Sequence, residues 1–317
     1  TEIYTLSLHD ALPIYILIHM DNTQTNHLRA YGAVYYALSR GMKGKWLLNY
    51  RGGSFLLPSV GLVKNKLTLM NVSFTEIDEE DLARINKKIE TGNMHSVDIE
   101  KAPKIAVYSP PQRGPWDDAV TLVLTYAQIP YTLLWDKEVL RGDLVQYDWL
   151  HLHHEDFTGQ FGKFYAAFRH VLWYIQQVNA FTKSANEAGF RSVAEHKRAV
   201  AQKIQSYVKD GGFLFAMCSA TDTIDIALAS HGLDIVPAEI DGTPISPNAQ
   251  ERLDFNATFA FTNFKLIFDP NIYEFSDIDV DIHNEGIAFM PDSFSLFEFS
   301  AKIDTIPTIL KIGRAHV

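Results

Sequence analysis

One cysteine and a run of histidines are the residue types best suited to chemistry in these 317 residues. Cys218 stands within residues 211–229, GGFLFAMCSATDTIDIALA, which reads as a buried strand, a sharp turn at the cysteine, then a helix. That is the pattern of a nucleophile elbow. It calls for one strained residue between strand and helix, with small residues two positions to either side where backbone crowds in. Those flanks are Ala216 and Ala220, where glycine is more usual. A helix N-terminus beneath the thiol favours a thiolate, and backbone N–H groups around Ser219 suit a developing oxyanion. Asp222 and Asp225 fall in the first helical turn, and their negative charge is expected to disfavour the thiolate. The competing reading is a buried, inert cysteine.

The second cluster is WLHLHHED, residues 149–156. It reads as a strand end, where ligands gather in parallel sheets. His151 and His153 are expected on one strand face and His154 on the other. His153 or His154 is a candidate general base for Cys218, oriented by Glu155 or Asp156. No metal is expected; the alternative is a metal held by His151, His153 and Asp156. Weaker candidates for ligand binding are Asp21 and Asn22 after the first strand, Arg51 in an Arg-Gly-Gly-Ser turn, Arg113 in the PPQRGPW loop, and Ser219. Capping explains Asp21 equally well, and the glycine pair suits an anion-binding nest.

The elements that would position these groups alternate. Residues 104–109, 131–135, 149–153 and 213–217 read as strands, with helices over 116–128, 137–144, 161–179 and 192–209. Such alternation predicts parallel pairing with helices on both faces. Residues 101–236 are therefore expected to form a flavodoxin-like, doubly wound α/β domain. Residues 15–100 also alternate strand and helix, and either extend that sheet or form a smaller α/β lobe. From 237 to 311, Pro, Gly and the partly alternating FNATFAFTNFKLIF predict a β-rich, antiparallel appendage. Residues 1–14 (TEIYTLSLHDALPI) and 312–317 (IGRAHV) read as translated sequencing adapter rather than natural protein, leaving 15–311 as the folding chain, cut at both ends.

With 47% hydrophobic and 21% charged residues, the chain can bury a sizeable core. A net charge of −10 speaks against nucleic acid, whose usual footprint is a basic stripe. No apolar run reaches the ~18 residues of a membrane span. A single cysteine excludes an intramolecular disulfide framework. No motif calls for a cofactor. The expected partner is a small-molecule substrate or ligand; compartment and oligomeric state are not legible.

At the strand–cysteine–helix unit the chain resembles the class I glutamine amidotransferase-like superfamily, which includes the PfpI-like and ThuA-like proteins. The resemblance spans about 104–236 and implies that Cys218 is the nucleophile. In catalytic members His and Glu follow later in the chain, where His283 and Glu285 have the spacing. More closely, MDNTQTNHLRAYG (20–32), WLLNYRGGSF (46–55) and FAMCSATDTIDIALA (215–229) resemble a family of Bacteroidota proteins labelled asparagine synthetase B. Glutamine-dependent asparagine synthetases carry an SGG-x-DS loop for ATP, and residues 15–311 contain none. The expected function is a Cys-dependent amide hydrolase or amidotransferase. The alternative is a non-catalytic amidotransferase-like module that binds a ligand or serves as a scaffold.

Overall fold

The computed structural model describes residues 14–111 and 119–279. They form two compact units, 14–102 with 119–130, and 103–111 with 131–279. The chain is mixed α/β, with one antiparallel and one parallel sheet. Among the described residues, no helix is long and apolar enough to cross a membrane.

The first unit runs β1 (Tyr15–Ile18), α1 (His27–Ser39), β2 (Gly44–Leu48), β3 (Ser54–Pro58), α2 (Gly61–Leu69), β4 (Phe74–Ile77), α3 (Glu79–Thr91) and β5 (His95–Ile99). The strand order is β4-β1-β3-β2-β5, and every neighbouring pair is antiparallel. The strand–helix alternation of 15–100 thus does not produce parallel pairing. The reason is a hairpin: β2 turns through Asn49–Gly53 directly into β3, and a short turn can join only antiparallel neighbours. Both faces are buried, as the period of two requires. Ile16, Ile18, Phe55 and Leu57 face residues of α1 and α2, while Leu17, Leu47, Leu56 and Ile77 face Ile85 and Ile89 of α3. Asp78 caps α3 by accepting the Asp81 N–H (2.8 Å), and three acids in its first turn suit the helix dipole.

Helix α4 (Ala119–Tyr126), expected within 101–236, packs in this first unit. Gly32 of α1 is the reason it fits so closely. A Cβ there would lie 1.7 Å from the Ala127 carbonyl oxygen. Asn26 donates to Tyr126 Oη (2.7 Å), and Arg29 lies over the Tyr126 ring.

The second unit runs β6 (Ile105–Tyr108), β7 (Tyr131–Leu134), α5 (Asp136–Arg141), β8 (Trp149–Leu152), α6 (Tyr165–Phe168), α7 (Leu172–Glu187), α8 (Val193–Lys209), β9 (Phe213–Ala216), α9 (Ala220–Ala229) and α10 (Ala238–Asp241). Its four strands are parallel in the order β7-β6-β8-β9. One face, with Ala106, Tyr108, Leu134, Leu150 and Leu152, shares a core with Val139 of α5, Val200 and Ile204 of α8, and Ile224 and Leu228 of α9. The alternate residues of the edge strands are exposed on the other face: Leu133, Phe213 and Phe215. Among the described residues, no core cluster joins a helix of this unit to that face. Helices were expected on both faces; among the described residues they cover one.

Residues 237–279 are not β-rich. They hold α10, three short 3-10 turns and a single isolated bridge, Leu266 to Ser276. Among the described residues, the alternating run at 255–268 has no partner strand beyond that bridge. The amides of Phe259, Ala260 and Phe261 donate instead to the carboxylate of Asp225 on α9 (2.6, 2.8 and 2.8 Å). One buried carboxylate takes the place of a ladder.

Candidate active site

The backbone builds the site before any side chain does. Strand β9 pairs with β8 up to Leu152 and Ala216, and the Met217 N–H extends the ladder to Leu152 O (3.0 Å). Then the chain breaks direction. Cys218 has φ +50°, in the left-handed region that a side chain with a Cβ avoids at a cost of roughly 1–2 kcal/mol. Helix α9 starts two residues later. The turn is pinned from both sides. The Ala220 N–H donates to His153 O and Met217 O (both 3.2 Å), and the Thr223 hydroxyl donates to Glu155 O (2.8 Å) and Ser219 O (2.7 Å). The Cys218 carbonyl accepts the Thr221 N–H and hydroxyl. Ala220 is fully buried, so the small flank the elbow requires is present. The residue is exposed, which contradicts the reading of Cys218 as a buried cysteine. The Ser219 amide takes no part in this backbone network.

Asp222 and Asp225 were expected to burden the thiol. Both are buried (2% and 0% exposed), as is every residue of α9 except Thr221, whereas Cys218 is exposed. The three amide bonds described above occupy the Asp225 carboxylate, so its charge is met within the fold.

The histidines differ in placement. His151 is buried, stacked flat on Phe215 with ring centres 5.5 Å apart, and edge-on to Trp149. His153 follows on the same face, its ring 6.5 Å from that of His151. His154 was expected on the opposite face. Its ring lies 4.7 Å from that of His153 instead, because the strand ends at Leu152 and alternation ends with it. Both His153 and His154 are half-buried. The His153 carbonyl accepts from the first residue of α9, so strand end and elbow form one continuous backbone edge.

The acids in this cluster serve the backbone. Glu155, buried, accepts the His153 N–H at Oε2 (2.8 Å). Asp156 accepts from the Thr158 N–H and hydroxyl (both 2.6 Å) and from the Gly162 N–H (2.9 Å). These bonds fold the loop after β8. Asp156, named with His151 and His153 in the alternative metal site, is engaged in its own loop, and among the described residues no three His, Cys, Asp or Glu groups converge to hold a metal.

That loop was read as helix from 161 onward. Phe161, Gly162 and Lys163 all have positive φ (54°, 72° and 58°), so no helix can pass through them. Gly159 (φ 85°) abuts α8 so closely that a Cβ would sit 2.7 Å from the Ala194 backbone. The buried Lys163 ammonium donates to Ile267 O (2.7 Å) and Asp269 O (3.2 Å), and burial pushes it down to about 8.

Sequence reasoning also missed a buried charged group beyond the ends of β6 and β7. Lys197 of α8 donates to both Asp136 oxygens (2.9 Å each) and to Tyr108 Oη (3.0 Å). Tyr108 Oη also donates to Asp136. All three are 2% exposed or less, under the faces of Trp135 and Phe181. Burial pushes the Tyr108 hydroxyl well above its usual range, and Asp136 adds to that. Burial also lowers Lys197, opposed by Asp136. The signal was available: Lys197 interrupts the apolar stripe of Val193, Val200, Ala201 and Ile204.

Asp21, Asn22 and Arg51 lie in the first unit. Arg51 Nε donates to Asp21 Oδ2 (2.6 Å), and Nη2 donates to Thr23 Oγ1 (3.1 Å). The guanidinium holds the Asp21 carboxyl well below the usual carboxylate range. The pair closes the end of β1 onto the turn before β3, so the Arg51 turn binds its own chain. The Asn22 residue is exposed. Arg113, His283 and Glu285 lie outside the described residues.

Compared with known proteins, the chain matches no protein-family model, no curated protein and no solved structure.

Proposed function

We propose that the second unit is a class I glutamine amidotransferase-like module, and that Cys218 acts on an amide or related carbonyl of a small molecule. The observation that carries this reading is an exposed cysteine at positive φ between a parallel strand and a helix. The order β7-β6-β8-β9 supports it, since numbered along the unit it reads 2-1-3-4, the beginning of the flavodoxin-like order. In such sheets the ligand crevice lies at the strand carboxyl ends, where the elbow and the His153–His154 pair belong.

The chemistry balances with groups of this chain. The imidazole of His153 or His154 takes the thiol proton, and Sγ bonds to the carbonyl carbon. The Ser219 N–H is the donor best placed by chain position for the resulting oxyanion. The C–N bond then breaks as the imidazolium returns its proton to the leaving amine. Water cleaves the thioester in a hydrolase; an amine does so in a transferase.

A second reading, a module that binds without chemistry, has its own observation. Both Asp156 oxygens accept from backbone amides of their own loop, so one of the two acids named for orienting an imidazole has a structural task. Iodoacetamide alkylation across pH separates the two. A catalytic thiol reacts at least tenfold faster near neutral pH than a model thiol, and His153→Gln with His154→Gln removes the excess. A Cys218 no faster than the model thiol ends the catalytic reading.

A further inference from the structure

A cleft of about 550 Å³ opens in the second unit between α8 and the turn after α9. Arg198, Gln202, His231, Asp234, Thr243 and Ser246 line it. Its volume falls in the range of small-molecule sites.

Arg198 is the unusual member. Its Nη1 is shut off from solvent and, among the described residues, meets no acceptor. A charged donor left so carries a desolvation penalty. Burial accordingly pushes the guanidinium below its usual range, against the pull of Asp234, Glu195 and Asp241. Two of these acids also serve other partners. Asp234 accepts from the Val236 N–H (3.0 Å) and the Thr243 hydroxyl (2.7 Å). Glu195 accepts from the Arg191 N–H (2.9 Å) and pairs with the Arg191 guanidinium. A second donor adjoins. Gln202 Nε2 lies 2.7 Å from His231 Nδ1, within hydrogen-bond reach.

We infer that this cleft binds a small carboxylate, held by the Arg198 guanidinium. Planar, bidentate pairing suits a carboxylate. Asp234, Glu195 and Asp241 oppose any anion beside Arg198, and they oppose a phosphate dianion more than a carboxylate's single charge. The site involves neither Cys218 nor the histidines of the elbow.

Ligand-observed NMR with acetate, L-alanine, L-aspartate and inorganic phosphate tests this on the whole chain. At least one carboxylate should bind at neutral pH, and Arg198→Met should weaken it tenfold or more. Arg198→Lys should recover only part of that loss, while Cys218→Ala binds as the parent does. Ala199→Phe, which fills the cleft and keeps the guanidinium, should abolish binding if Arg198→Met does not fold. The inference is overturned if none of the three carboxylates binds, if phosphate binds more tightly than they do, or if binding survives both Arg198→Met and Ala199→Phe.

Discussion

In the antiparallel sheet, neighbouring strands end at opposite edges, whereas in the parallel sheet all four carboxyl ends meet at one edge. The two units treat their strand ends accordingly. The first unit closes the end of β1 with an ion pair, Asp21 to Arg51, whose side chains remain about one-third exposed. The second unit keeps a fully buried ion pair beyond β6 and β7, a strained loop after β8 and a strained, exposed cysteine after β9. Left-handed turns occur in both units, at Asn49 and Arg51 as at Cys218, but a shared edge gathers the groups that follow several strands, and that is where chemistry can be assembled.

The largest expected effect contrasts the two ion pairs. Lys197→Met leaves the Asp136 carboxylate buried with its cation removed, which should cost about 3–5 kcal/mol in urea unfolding. Arg51→Met should cost a small part of that, because water replaces the lost partner at a semi-exposed pair. Equal losses would break the comparison. Next comes Gly159→Ala, which adds a Cβ at positive φ against the backbone of α8. A loss of about 2 kcal/mol or more is expected, with hydrogen exchange rising first around 156–163.

A pH series probes both units together. Burial lowers the pKa of His19, with Arg51 adding to it, and burial lowers that of His196 against the pull of Asp136. A histidine whose folded pKa lies below its unfolded value of 6.5 binds its proton more readily when unfolded. Their neutral forms therefore keep full stability above pH 6.5, and it is lost as the pH falls below that value. His19→Gln should flatten the acid limb for the first unit and His196→Asn for the second, read by unit-resolved hydrogen exchange. A limb that neither changes would show that the carboxylates dominate it. The smallest effect is expected at the elbow. Cys218→Gly should gain up to about 1 kcal/mol by relieving the left-handed backbone. A loss of stability there would mean that the turn is not strained.

Much of the second unit was legible because its strands are short apolar runs closed by recognisable caps. Strands β6, β7, β8 and β9 fall within a residue or two of their expected places, as does α8 between its Ser192 cap and Asp210. The first unit was harder to read. Two of its strands, β3 and β5, are interleaved with turns and carry no strong alternation, and without them a hairpin sheet reads as strand–helix repeats. At 161–163 the aromatic spacing mimics a helix, and only Gly162 hints at the left-handed turn. At 255–268 alternation without a neighbouring strand is no evidence of a sheet, since a carboxylate can satisfy the same amides. The elbow was readable as a pattern. That its two acids are buried was not, because α9 is covered on every face and carboxylates are among the residues least expected there.

Placing the thiol by a backbone torsion also has an entropic side. Between the fixed Cα of Cys218 and its sulfur lies one rotatable bond. A lysine doing the same work would surrender about 1.5–2 kcal/mol of rotamer freedom whenever it aligned. Here the ordering cost falls on the chain once, during folding, and each encounter with a carbonyl meets a sulfur already confined to a few positions.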